Sequence, residues 1–203
     1  MTVTKWSVEA FLREGYGRRY LWIDLVNSEY ADGLGAVTDY LSSESWRRSL
    51  FAAWALPPNP RTAFPLGAFQ SLRGQLRSAG EQLAREAAVS PATLERINEA
   101  LGVQARLSIE RTGRAYRVIM RPARFDWQWL RAQIAASFGD FLTSGRPHRL
   151  KICANPRCRW MFYDETRSNT KRWCDDRLCG NRDKVRRYRA KQRPHGTTSQ
   201  DRA

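Results

Sequence analysis

Four cysteines set the strongest constraint on this 203-residue chain. All fall between positions 153 and 179, as Cys153-x4-Cys158, a spacer of fifteen residues, and Cys174-x4-Cys179. Two paired thiol sets around a spacer long enough for a hairpin suit one tetrahedral zinc ion, which is soft enough for sulfur and closed to solvent in structural sites. Asn155-Pro156 inside the first pair supplies the tight turn of a zinc knuckle, bringing both sulfurs to one ion. Between the pairs, Arg159-Trp-Met-Phe-Tyr163 and Thr170-Lys-Arg-Trp173 read as two short strands around a turn at Ser168-Asn169. A module of about forty residues buries too little apolar surface to fold alone, whereas structural zinc contributes about 10–16 kcal/mol in finger peptides. The metal is therefore expected to decide whether this region folds. Free cysteines, an iron–sulfur cluster and a thiol redox switch are the alternative readings; the switch predicts zinc release on mild oxidation. His148 and His195 lie outside the cysteine pairs and are left out of the ligand set.

Charge follows the cysteines. The chain carries a formal charge of +15, yet residues 1–145 hold 18 Lys or Arg against 14 Asp or Glu, and residues 146–193 hold 16 against 5. Positive charge this dense calls for nucleic acid or acidic lipid as partner. A solubilising tail is the bland alternative, but Trp, Tyr, Phe and Cys interleave with the charge. From about Asn181 the sequence is helical and basic, with no breaker before Pro194. Arg182, Arg186, Arg189 and Arg193 share one face, and Val185 and Tyr188 share another that can rest on the zinc module. Asp175, Asp176 and Asp183 sit toward the N-terminal end, where the helix dipole favours carboxylates. Such a ridge can neutralise phosphates, and a helix fits the major groove of DNA; RNA is the alternative polymer. The candidate nucleic-acid contacts are Arg172, Arg182, Lys184, Arg186, Arg187, Arg189, Lys191 and Arg193. Trp160, Tyr163 and Trp173 read as a mini-core beside the metal rather than as base-stacking platforms.

Ahead of this module, the pattern predicts an α+β fold. The N-terminus lacks the apolar stretch of a signal peptide, and no run approaches the roughly 18 apolar residues of a membrane span. A cytoplasmic protein with no membrane partner is expected. Tyr20 to Asn27 reads as a strand or the start of a helix. Helical spacing covers Ser43 to Leu56, ended by Pro57-Pro58-Asn59-Pro60, and then Leu66 to Ala87, whose Arg73, Arg77 and Arg85 read as a solvated face. Ser90-Pro91 opens a third helix that Gly102 closes. Ala105, Leu107 and Ile109, then Tyr116, Val118 and Met120, alternate around Arg111-Thr-Gly-Arg114 as a β-hairpin, and Phe125 to Leu142 is helical again. These patterns predict a mainly helical N-terminal domain over 1–145, a basic zinc module over 146–193 and a frayed tail over 194–203. Asp24 and Asn27 are candidates for a ligand site, with helix capping or satisfaction of buried backbone as the other reading. With no paired acids, no nucleophile near a histidine and no His before position 148, no enzyme is expected.

Residues 150–191 resemble the CGNR zinc finger. The tetrapeptide that names it is Cys179-Gly180-Asn181-Arg182, preceded by Cys153-x4-Cys158, Trp160-Met-Phe-Tyr-Asp164 and Arg172-Trp173-Cys174. Leu21-Trp-Ile-Asp-Leu-Val-Asn27 is similar to the opening signature of the ABATE domain, which usually precedes this finger. The resemblance implies a bacterial, stress-induced transcription regulator with one structural zinc in a treble-clef-like finger and a C-terminal basic helix. DNA is the partner it implies, with a small-molecule effector or homodimerisation as roles for residues 1–145. The chain departs from the pattern at Asp175-Asp176, where Ser-Met is expected, and at the Ser168-Asn169 turn, usually basic.

Overall fold

The computed structural model describes residues 20–54, 56 and 62–192. The N-terminal residues, Pro57-Pro58-Asn59-Pro60, Arg193, His195 and the tail, for which the sequence carries expectations, lie outside the described residues. The ambiguous run after Tyr20 is a helix, α1 (Leu21–Val26), with all six residues buried. A helix enclosed on every side is apolar all round, which is why its periodicity was uninformative. A small antiparallel sheet follows, β1 (Glu29–Ala31) and β2 (Val37–Asp39), an element absent from the sequence reading. Its signal was Asp32-Gly33: the Asp32 carboxylate accepts hydrogen bonds from the Leu34, Gly35 and Ala36 amides at 2.6, 2.9 and 3.2 Å, and Gly33 takes φ +76°.

Three of the four longer helices carry a side-chain cap. α2 (Glu44–Ala53) is capped by Ser43, α4 (Pro91–Leu101) by Ser90 with Pro91 in the first turn, and α5 (Trp127–Ser144) by Asp126. α3 (Leu66–Ala84) has no side-chain cap and leans on packing instead. Between α4 and α5, β3 (Ala105–Thr112) and β4 (Ala115–Pro122) form an antiparallel hairpin, with Gly113 at φ +62° in the turn. α1, α3 and α5 meet in the main core around Trp22, Phe69, Leu72, Leu76, Ile134, Phe138 and Phe141. Each fully buried large side chain contributes about 1.5–3 kcal/mol, and Leu150, Met161 and Tyr163 of the finger belong to the same cluster. No helix among the described residues is long and apolar enough to cross a membrane.

Two expectations need correction. Arg73 and Arg77 on α3 are buried, not solvated. The 3.6-residue period defines a polar face, but here the small sheet and the finger cover it. Arg73 forks onto Asp39 at 2.6 and 2.8 Å and donates to Ser28 Oγ at 3.0 Å, while Arg77 donates to the Val26 and Arg159 carbonyls at 2.8 and 3.2 Å. Arg85 is exposed, as read.

The second correction concerns the finger's strands. β6 (Met161–Tyr163) pairs with β5 (Leu150–Ile152), Leu150 opposite Tyr163, and not with Thr170–Trp173. Residues 170–173 run alongside without a ladder, because they are held singly: the Lys171 amide donates to Asp164 Oδ2 at 2.9 Å and the Ala154 amide to the Arg172 carbonyl at 2.8 Å. The turn near Ser168-Asn169 is present, with Asn169 at φ +51°. Along β6 side chains alternate, so Met161 and Tyr163 join the main core while Trp160 and Phe162 turn to the cysteines. The finger is thus built into the helical body, and zinc is not alone in ordering it.

Candidate zinc centre and nucleic-acid interface

Each cysteine is placed by a different local structure. Cys153 follows β5, Cys158 closes the Asn155-Pro156 turn by donating its amide to the Asn155 carbonyl at 2.9 Å, and Cys179 lies in a π-helical turn (Asp176–Gly180) whose N-cap, Asp175, accepts from the Leu178 amide at 2.8 Å. Cys174 sits just before that turn. The four Sγ atoms all lie within 4.8 Å of one another, with Cys158–Cys174 at 3.7 Å and Cys174–Cys179 at 3.8 Å. A zinc tetrahedron with bonds of about 2.3 Å has sulfur–sulfur edges of about 3.8 Å. The set fits one structural zinc ion. Cys153, Cys158 and Cys179 are buried and Cys174 half-buried, under Trp160, Phe162, Trp173 and Tyr30.

Crowding splits the thiols' acidities. A hydrogen bond from Cys158 brings Cys153 down to about 7, and hydrogen bonds from the neighbouring thiols hold Cys179 low, while hydrogen bonding with Cys153 pushes Cys158 and Cys174 up. A zinc ion bound by these four thiols would take the place of the shared protons, which would be released. Asn155, unassigned by the sequence beyond its turn, supports the site: its Nδ2 donates to Cys179 Sγ at 3.6 Å and to the Gly33 carbonyl at 3.3 Å.

The basic helix, α6 (Asn181–Lys191), leaves the last cysteine with no buried residue. Val185 and Tyr188 are 41% and 65% exposed, so they do not rest on the zinc module as the sequence reading had them. The helix is anchored by its first turn instead, where Arg182 Nη1 donates to the Asp32 carbonyl at 2.5 Å. Gly33 permits this approach, since a Cβ there would meet Arg182 Nη1 at 2.5 Å. Lys184, Arg189 and Lys191 are exposed, Arg186 and Arg187 are exposed but paired with Asp183 at 2.5 and 3.0 Å, and Arg172 lies over the Trp173 ring at 5.1 Å. Between α6, the zinc knuckle and the β1–β2 turn runs a cleft of about 880 Å³, lined by Arg157, Arg182, Arg186 and Arg189 with Val185 and Leu34. Arg157, which the sequence reading passed over, donates to the Leu34 carbonyl at 3.3 Å and so ties one wall to the other.

Asp24 and Asn27 lie away from this cleft, both buried. Asp24 Oδ2 accepts from the Trp54 indole at 2.7 Å. Asn27 pairs with β6 as a strand would: Nδ2 donates to the Met161 carbonyl at 2.7 Å, and Oδ1 accepts from the Met161 amide at 3.0 Å.

A mainly helical body that holds a four-cysteine zinc finger against its core, with a basic helix leaving the last ligand, defines a zinc-finger protein of mixed α+β class. The chain belongs to the ABATE family: the model described as "Putative stress-induced transcription regulator" matches residues 20–145, and the CGNR zinc finger model matches residues 149–192. No curated protein matches the chain.

Proposed function

We propose that this protein is a zinc-dependent DNA-binding transcription regulator in which the finger and α6 contact duplex DNA and the helical body senses a ligand or pairs two copies. The observation that carries this reading is the arginine-lined cleft beside α6. α6 spends no side chain on the core, which leaves Lys184, Arg189 and Lys191 for phosphates while its first turn is fixed to the body. Phosphate contacts of this kind position a protein on DNA without reading bases. A zinc ion held by the four cysteines would fix the direction in which α6 leaves Cys179.

The test is a salt series of binding by the zinc-loaded chain to a labelled duplex DNA and a matched duplex RNA, repeated after chelation. DNA affinity that falls with salt, at a log–log slope of about −0.9 per phosphate neutralised, and that is lost with the metal supports the reading. Preference for RNA transfers the same cleft to an RNA-binding role, and no binding to either polymer overturns it.

A further inference from the structure

Among the described residues, the β3–β4 hairpin carries a row of apolar side chains that the body leaves exposed. Its strands pair with each other along their length and make no comparably extensive contact with another element. Ile109 stands opposite Val118 and Arg111 opposite Tyr116, so Leu107, Ile109, Val118 and Tyr116 lie on one face. They are 72, 75, 64 and 72% exposed, and they are four of the ten large hydrophobic side chains exposed among the described residues. Arg106 and the Glu110–Arg121 ion pair belong to the opposite face, and Arg111 near the turn is the only charged position on the apolar one. An isolated two-stranded hairpin is at best marginally stable in water, and the largest exposed apolar patch of a protein, typically about 300–600 Å², is often functional.

We propose that this face is a homodimer interface, closed by the same face of a second copy. Four side chains at this exposure offer on the order of 500 Å² per copy, and the pair hides on the order of 1,000 Å², the size at which a specific interface begins. A two-fold contact must be self-complementary, and a flat row of Leu, Ile, Val and Tyr is. Stacked sheets lie about 10 Å apart. Arg106, Glu110 and Arg121 point away from the partner, and Arg111 stands beside the turn at the rim of the apolar face. The proposal names the surface for the pairing role suggested above. It is independent of DNA, and its consequence is that two α6 helices act together.

Sedimentation velocity of the zinc-loaded chain without nucleic acid, over a concentration series, is expected to show a monomer–dimer equilibrium that Ile109→Lys shifts at least tenfold toward monomer. The Val37→Lys control, at an exposed position on β2 outside both the hairpin and the cleft lining, leaves it unchanged. A wild type monomeric at every concentration, or an Ile109→Lys protein as dimeric as wild type, overturns the proposal. Should Ile109→Lys fail to fold, hydrogen exchange of wild-type β3–β4 amides decides: protection that rises with concentration supports the interface, and protection independent of concentration overturns it.

Discussion

Asn27 shows how one side chain joins two parts of the molecule. Its amide gives β6 the donor and acceptor that a further strand would supply, deep in the core. Asn27→Ala orphans both backbone groups of Met161, at about 1–3 kcal/mol each, and urea unfolding is expected to show the loss in the midpoint. Asp39 adds a dependence on pH. The Arg73 guanidinium holds its carboxyl below the ordinary 3.8, so the folded value lies below the unfolded one. That contribution is present above the unfolded pKa and is lost as pH falls through the folded one. Asp39→Asn is therefore expected to flatten the decline in stability below about pH 4 in unfolding curves taken across pH. The sequence marked Asn27 as a polar residue in an apolar run, but its partner lies 134 positions away, beyond the reach of local pattern.

At the scale of elements, period and caps were legible while faces were not. Ser90 announces its helix because capping is local chemistry, and the structure adds Ser43 and Asp126 as caps of α2 and α5. Which polar faces meet water depends on what packs there: α3's arginines were covered, and α6's Val185 and Tyr188 were not. The exposed cations of α6 are the ones expected to act on phosphate. Lys184→Ala and Arg189→Ala should each weaken DNA binding evenly across sequences and lower the salt slope by about 1, read by fluorescence anisotropy. Gly33→Ala puts a side chain at positive φ against Arg182, so loosening of α6 is expected as faster hydrogen exchange in its first turn.

For the whole molecule, the finger and the helical body share one core through Leu150, Met161 and Tyr163. Removing zinc is therefore expected to lower the melting temperature of the entire chain in one cooperative transition, checked by circular dichroism with and without chelator; a separate early transition of the finger alone would contradict this. The sequence by itself determined the four zinc ligands, the starts of the longer helices to within a residue or two, the β3–β4 hairpin and the concentration of charge after residue 145, because spacing, capping, alternation and charge are written in neighbouring residues. Only the tertiary structure decided that β6 pairs with β5, that the β1–β2 turn forms one wall of the cleft, that Arg73 and Arg77 are interior and that the hairpin's apolar face is left outside. Each of those depends on which distant segments come into contact, and burial, unlike periodicity, is a property of the packed whole.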